Sequence, residues 1–522
     1  MLQNIYLCNI KRKKLKAVKF NAISKGKNQV QNYEQAPAYQ LSPEWDLYTS
    51  VVTSTLSDKF YESASNRLEK LCQLIQENDP QLVARLAVYA REQMNLRSIP
   101  LVLTVELAKI HSGDALVSQM TNRIVQRVDE ITELLAYYQT ANKRKGNKKL
   151  NRLSKQLQAG LQYAFNKFDE YQFAKYNRDA EIKLKDALFL VHPKAKNEEQ
   201  QLIFNKIVND SLQTPYTWET ELSALGQNKF ESEEVKKAAF TQKWEELIDS
   251  GKVGYMALLR NLRNILEAEV SVNHINHVCE TISSREKVLK SKQLPFRFLA
   301  AYRELSQINS GYASKVMNAL EEAVKVSASN INGFDESTKV LVACDVSGSM
   351  QHVISPKSKI MSYDIGLMLG MLLKSRCKNV VSGIFGDIWK IVNLPDSGVL
   401  SNVDAFYKRE GEVGYSTNGY LVIKDLIDRK KVIDKIMIFT DCQLWDSRGY
   451  NTQIKDVWKE YKSIAPEAKL YLFDLSGYGK IPLDITNKDV YLLAGWSDKI
   501  FDVLSAIDNG SNALKEIKAI EM

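Results

Sequence analysis

In the stretch STKVLVACDVSGSMQHV, residues 337–353, an apolar run from Val340 to Cys344 stops at Asp345, and Ser347 and Ser349 follow at alternate positions. One carboxylate and two hydroxyls in so short a turn suit a hard divalent cation, which takes oxygen ligands and keeps some of its water. Two more oxygen donors stand further on: Thr417, in the loop GEVGYSTNGYLVIKDL that leads into a helical pattern, and Asp441, which ends another apolar run in IFTDCQLW. Asp345, Ser347, Ser349, Thr417 and Asp441 could together hold Mg²⁺ or another divalent cation. The alternative is a set of turn and cap residues with no ion. Hydrolysis at such an ion would need a general base beside it. His352, three residues past Ser349, is expected to be solvent-exposed and idle, and Asp387 to cap the element that follows it. The chain also has no G-x-x-x-x-G-K-[ST] loop and no convincing Ser/His/Asp order, so no catalysis is expected.

A second set of residues suits a polyanion. ANKRKGNKKLNRLSK, residues 141–155, carries Lys143, Arg144, Lys145, Lys148, Lys149, Arg152 and Lys155 and no acidic residue. It is either a solvated face or a phosphate-binding loop, and in the second case affinity should fall steeply with salt as condensed counterions are released. AKYNRDAEIKLKDALFLVHPK follows, with Lys175, Tyr176, Arg178, His192 and Lys194. Tyrosine or histidine can stack on an unpaired base while lysine and arginine hold its phosphates. On the residues alone, His192 before a proline fits a packed loop end better than a base contact. Arg260 and Arg263 in LLRNLRN, and Arg297 and Arg303 in PFRFLAAYR, lie among leucines and aromatics; they either bond to exposed helix ends or line a binding surface. Trp218 is expected in the core. HINHVC, residues 274–279, groups two histidines and a cysteine, but no second cluster completes a zinc site.

The elements that must position these groups fall into two kinds. From about Ser42 to Asn330 amphipathic helical patterns succeed one another, as in FYESASNRLEKLCQLIQEN, DPQLVARLAVYAREQM and SIPLVLTVELAKIHS. Asp79 with Pro80, and Pro100, mark helix starts. Such a train stacks as a solenoid, each helix pair burying its face on the next. After SASNINGFDESTK, β-branched runs alternate with helices: KVLVAC, NVVSGIFG, KIMIFTD, AKLYLFDLS and DVYLLAG are strands of an open, mostly parallel α/β sheet. Ligands of such sheets sit at the carboxyl ends of the strands, where Asp345 and Asp441 fall.

A chain of 522 residues divides into domains. Three segments are expected: an N-terminal extension, largely unstructured, over 1–35; a helical-repeat domain over 36–335; and an α/β domain over 336–522. With 44% hydrophobic and 25% charged residues the chain is a folded protein rather than a disordered one. A net charge of +9 permits an anionic partner without requiring one. The six cysteines are scattered without a C-x-x-C pair, which fits a reducing, cytoplasmic compartment. The opening MLQNIYLCNIKRKKLK places a short apolar stretch before a basic one, the reverse of a signal peptide, and no run approaches a membrane span. KRKKLK reads as a solvated basic arm, with nucleic-acid contact as the alternative.

Two resemblances bear on these readings. D-x-S-x-S after a strand, with the later threonine and aspartate, resembles the metal-ion-dependent adhesion site of von Willebrand factor A domains. The ordered set LYTSVVTSTLSDKFYESASNRL, ARLAVYAREQMNLRSIPLVLTVELA, FAKYNRD, HPK, PYTWE, GYMALLRNLRNIL and LPFRFLAAYRE resembles the TROVE module of the Ro autoantigen family and its bacterial relatives. This resemblance implies a ring of HEAT-like helical repeats closed by the A domain. It also implies small noncoding Y-like RNA on the outside of the ring and the 3′ ends of misfolded RNA in its hole, a quality-control role without enzymatic activity. Through K-Y-N-R and H-P it assigns Lys175, Tyr176, Arg178 and His192 to RNA. In bacterial relatives the implied partner is an exoribonuclease, polynucleotide phosphorylase. The rival reading is a metal-dependent protein-interaction scaffold with incidental basic residues.

Overall fold

The computed structural model describes residues 29–54, 59, 61–142, 153–177, 180–327, 337–354, 358–395, 398–497, 499–508 and 510–522. Helices follow one another from Pro43–Val52 to Ala313–Ser327. Their starts carry the expected signals. The Ser63 hydroxyl accepts from Asn66 N at 3.2 Å ahead of helix Ala64–Glu77, and Asp79 accepts from Gln81 N at 3.2 Å ahead of Pro80–Glu92. Pro100 sits in the first turn of Ser98–Ile110, where a missing N–H leaves no bond unmade.

Nine strands form two sheets among the described residues. In the first sheet β1 (Gln29–Gln31), β2 (Pro37–Gln40) and β8 (Lys480–Ile481) pair antiparallel. In the second the order is β5 (Trp389–Ile391), β4 (Asn379–Phe385), β3 (Lys339–Asp345), β6 (Lys435–Thr440), β7 (Lys469–Asp474), β9 (Val490–Ala494). All its pairings are parallel except β4 with β5. The five expected strands are β3, β4, β6, β7 and β9; β5 and the small sheet were not foreseen. From β3 the chain passes to β4 on one side and later to β6 on the other, so the strand order reverses across the β3–β6 pair, where such sheets leave a crevice for ligands.

Side chains alternate across the strands as the pleat demands. Val340, Val342 and Cys344 of β3 and Met437 and Phe439 of β6 join a core continuous with the helices, while Leu341, Ala343, Ile436 and Ile438 pack under helices Tyr420–Asp428 and Ile454–Ile464. Both ends of the helical train dock on the α/β unit. Helix Pro43–Val52 lies on β9, and Gly477, at φ +66°, brings the loop after β7 so close that a Cβ there would stand 2.4 Å from Thr53 Oγ1. At the other end, Glu321 of the last helix accepts from Val399, Leu400 and Ser401 N at 2.7–3.1 Å, capping helix Leu400–Tyr407. Beside it Arg303 forks onto Asp364 at 2.8 and 2.6 Å and stacks over Tyr407. Arg303 is thus a seam residue. The train therefore closes on itself through the α/β unit.

Residues 1–28 of the expected extension lie outside the described residues, as does the expected boundary at 335/336. Residues 29–31 of the extension are ordered as β1, because the hairpin they form pairs onto β8. No helix among the described residues is long and apolar enough to cross a membrane. The five described cysteines are buried thiols outside any disulfide.

Candidate metal centre and nucleic-acid interface

Asp345 ends β3 and Asp441 follows β6, so the sheet register alone sets the two carboxylates side by side. Ser347 and Ser349 lie in the turn after β3, with their hydroxyls 3.4 Å apart. Asp345 Oδ1 accepts from Ser347 N at 2.9 Å, and its Oδ2 from the Thr440 hydroxyl at 2.6 Å. Asp441 Oδ1 accepts from Gln443 N at 3.0 Å, whereas its Oδ2 is buried and makes no hydrogen bond. Thr417 joins the group through Gln443: its hydroxyl donates to the Gln443 carbonyl at 3.0 Å, which commits the proton and leaves oxygen lone pairs free. Gly348 N donates to the Tyr415 carbonyl at 3.0 Å and ties the Thr417 loop to the first turn. The structure thus brings all five expected donors to one end of the sheet.

The electrostatics of this end are costly without a cation. Asp345 and Asp441 are each only 1% exposed. Burial raises the Asp345 pKa, partly offset by Ser347 and Thr440. Burial and then the Asp345 charge raise Asp441, offset by Gln443 and Ser349. An unpartnered carboxylate oxygen, a neighbouring carboxylate and hydroxyls whose lone pairs are free fit a hard divalent cation. Among the described residues no group of three or more His, Cys, Asp or Glu could hold a metal, so any ion here depends on hydroxyl oxygens. His274 is engaged with Ser271 Oγ at 2.8 Å and lies near Glu245 and Asp249, which leaves HINHVC without a zinc site.

Sequence reasoning missed several residues at this end. Asp474 closes β7, is 1% exposed, and accepts from Ser476 N and Gly477 N at 2.9 and 2.8 Å. Its Asp-x-Ser spacing repeats that of Asp345 and Ser347, which was the available signal. Lys59 reaches in from the helical side, donating to the Ser476 and Thr53 carbonyls at 2.8 and 3.0 Å, and burial lowers its pKa. Asp387 accepts from Ser416 N at 2.9 Å, so it braces the loop that carries Thr417 rather than capping the element that follows it. His352 is half-buried rather than exposed, and its carbonyl accepts from Ser362 N at 2.9 Å.

The cationic candidates divide differently. Lys143, Arg144, Lys145, Lys148, Lys149, Arg152 and Arg178 lie outside the described residues. Lys175 and Tyr176 end helix Glu170–Tyr176, where the Tyr176 ring carries the Arg127 guanidinium at 4.6 Å and the Lys175 ammonium at 5.8 Å. Arg127, held by Asp129 at 3.0 Å, was not anticipated. His192 adopts a left-handed conformation, φ 49°, as the cap of helix Leu184–Val191. Its carbonyl accepts from Gln162 Nε2 at 3.1 Å while the residue is exposed, so the backbone is structural and the ring is free to meet a ligand. Lys194 is exposed two residues on.

Arg260 and Arg297 stand on helices Tyr255–Glu267 and Phe296–Leu305, which pack together. Arg297 is exposed, yet neighbouring side chains strip water from its guanidinium and lower its pKa, and the like charge of Arg260 lowers it further. Neither has an ion-pair partner among the described residues. Arg263, one turn from Arg260, is instead engaged with Glu267 at 2.9 Å and Glu304 at 3.5 Å. Trp218 stacks on the buried Trp244 with ring centroids 6.3 Å apart but is itself only half-buried, packed against the core rather than inside it as expected.

Comparison with known proteins places this architecture. The TROVE domain matches residues 46–212 and 209–334, more than half of the chain. The chain belongs to the TROVE-domain family. All the described cationic candidates, from Lys175 to Arg297, lie inside the TROVE match. Among curated proteins it is 25% identical over 326 residues to telomerase protein component 1 of Rattus norvegicus, and 24% identical over 326 residues to that of Mus musculus. Those alignments cover 48% and 47% of this chain but only 12% of either relative's own length. Among solved structures, the crystal structure of the Deinococcus radiodurans Ro (RSR) protein superposes with a TM-score of 0.56 at 16% identity. It covers 90% of this chain and 100% of that one, so the TROVE helices and the α/β unit share one overall arrangement with it.

Proposed function

We propose that this TROVE protein is an RNA-binding, non-enzymatic ribonucleoprotein component of the Ro type. It would hold a small noncoding, Y-like RNA and the 3′ ends of misfolded RNA, and so act in RNA quality control or stability. The observation that carries the reading is the TROVE match, which encloses every cationic candidate. Lys175, Tyr176, His192 and Lys194 would grip unpaired nucleotides by stacking and phosphate contact. Arg260 and Arg297, close together without a counter-charge, attract phosphate. Lys143, Arg144, Lys145, Lys148, Lys149, Arg152 and Arg178 add cations that the sequence places in the same region. Protein purified at ~50 mM salt should carry small RNA that is shed towards ~200 mM, as counterion release requires. Protein that is clean at low salt would overturn the proposal, and sequencing the crosslinked RNA would identify the ligand.

The fit of the strand-end oxygens supports a second element of the reading, a von Willebrand factor A-type module that recruits a protein. Asp345, Ser347, Ser349, Thr417 and Asp441 would hold Mg²⁺. When bound, that ion would offer a coordination position to a partner's carboxylate. The partner would be an exoribonuclease such as polynucleotide phosphorylase, tethered also by the RNA, and the setting the cytoplasm. The alternative, a metal-dependent scaffold without RNA, predicts the clean protein.

A further inference from the structure

The hairpin of β1 and β2 and the segment ahead of helix Ala64–Glu77 belong in sequence to the helical side, yet both reach the metal rim. Asn32 Nδ2 donates to the Leu444 carbonyl at 3.0 Å, and Tyr33 N donates to Gln443 Oε1 at 2.9 Å. Gln443 is the residue whose own N–H holds Asp441. Tyr33, Tyr61 and Tyr478 form a closed aromatic group: Tyr33 stacks on Tyr61 at 5.0 Å, and both meet the edge of Tyr478 at 5.4 and 5.5 Å. The Tyr33 hydroxyl donates to Glu62 at 2.8 Å, and Glu62 pairs with Arg67 at 2.9 Å, so the group is braced on both strands of chain. From this platform the Tyr61 hydroxyl is placed within hydrogen-bonding reach of Ser349 and close to Asp441, and it donates to the Glu34 carboxylate. In this bond the phenol is the donor and the Glu34 carboxylate the acceptor.

Glu34 is therefore one hydrogen-bonded group away from Ser349, one of the proposed ligands, on the side of the rim where Asp441 Oδ2 has no partner. A carboxylate that accepts one bond from a phenol retains lone pairs for a cation. A free carboxylate beside two buried ones would be repelled; a cation between them reverses the sign of that interaction. We infer that Glu34, delivered by the hairpin and held by Tyr61, is the chain's own acidic occupant of the coordination position that a partner's carboxylate takes. This rests on the metal reading above. Recruiting an acidic partner then means displacing Glu34, which couples the rim to the β1–β2 hairpin and through it to the first helices of the TROVE region.

The test uses the full chain with Mn²⁺ as probe, following affinity by calorimetry and the number of exchanging waters on the bound ion by solvent proton relaxation. Wild type, Asp345→Ala, Glu34→Gln and Tyr61→Phe are compared, with thermal unfolding as the control on folding. Glu34→Gln should add one bound water's relaxation and weaken Mn²⁺ about tenfold, the lower end of what groups supporting metal ligands contribute. Tyr61→Phe, which keeps the ring packing, should move both readouts the same way by less. Asp345-dependent binding with both readouts unmoved in Glu34→Gln overturns the internal occupant and leaves the metal site standing. A gain of water in Tyr61→Phe alone also overturns it, because the phenol and not Glu34 would be the occupant. Mn²⁺ binding that is absent, or indifferent to Asp345→Ala, overturns the metal reading and this inference with it.

Discussion

The strand ends of the α/β unit and the cationic surface of the helices gather their groups in opposite ways. At the strand ends two carboxylates, each 1% exposed, are set by sheet register, and almost every oxygen is fixed by a backbone N–H or a hydroxyl. On the helices and the turns that end them His192, Lys194, Arg260 and Arg297 are exposed, and Arg260 and Arg297 have no ion-pair partner among the described residues. Burial makes the first site geometrically exact in its donors and intolerant of their loss. Exposure makes the second additive, a sum of contacts that salt can screen. The two should therefore fail differently.

The largest effect is expected where many exposed charges are reversed together. Changing Lys143, Lys145, Lys175 and Arg178 to glutamate should cut affinity for a small RNA with a single-stranded tail about 10³-fold at low salt, since several phosphate contacts are worth that much. Measured by filter binding, the loss should leave Asp345-dependent metal binding unchanged. Equal damage to both would erase the contrast between the regions. Retention of RNA in dilute buffer would remove the cationic surface from the proposal.

Next in size is the seam that joins them. Arg303→Ala leaves Asp364, which is 0% exposed, without its fork and should cost about 3 kcal/mol in chemical denaturation, as breaking a buried pair does. Arg303→Lys should restore part of this, because a lysine offers charge without the planar fork.

Much of this contrast was legible in the sequence, for physical reasons that differ by region. The five parallel strands were readable because buried strands are continuous β-branched runs, and Asp-x-Ser-x-Ser was readable because one turn carries all three groups. Asp474 was missed although it repeats the motif in AKLYLFDLS, since one Asp-x-Ser without a second hydroxyl also describes an ordinary turn. β5 has three residues and the β2–β8 pairing joins Tyr39 to Ile481, so neither leaves a local pattern to read. The approach of Tyr61, itself bonded to Glu34, to Ser349 is likewise a contact between distant parts of the chain. The RNA candidates were found chiefly through family resemblance: no spacing rule separates Arg260 from Arg263, and only the structure shows that Arg263 is engaged by Glu267 and Glu304.

The buried site can be sharpened by pH. In the absence of metal, burial lifts Asp345 to about 6 and Asp441 to about 7, above the ordinary carboxylate range. A carboxyl whose folded pKa is raised binds its proton more tightly in the folded state. Its penalty is fully present above the folded value and is relieved as pH falls through 7 and 6 towards the unfolded value near 4. Protein in chelator should thus gain roughly 1–3 kcal/mol from these groups on going from pH 8 to pH 5, set against losses from the exposed ion pairs elsewhere. Asp345→Asn should remove much of that gain, and Mg²⁺ at pH 8 should stabilise the wild type but not the variant. A chelated protein whose pH profile is the same with and without Asp345→Asn would show that the two carboxylates are not the strained pair that the geometry describes.

The smallest effect discriminates most finely, because it compares arginines that the sequence cannot tell apart. Arg297→Gln removes a cation that feels the like charge of Arg260 and has no ion-pair partner among the described residues, so a phosphate bound there loses a full contact. The log–log salt slope of RNA binding should fall by about 0.7, with a loss of affinity of about tenfold or less at low salt. Arg263→Gln removes a charge already balanced by Glu267 and Glu304, so it frees two carboxylates as it deletes one cation. Its slope should stay near the wild-type value, and any fall in affinity should come from the uncovered acidic charge. Equal slopes for the two variants would mean that local pairing does not decide which cations meet RNA, and the distinction drawn from the ion-pair geometry would fall.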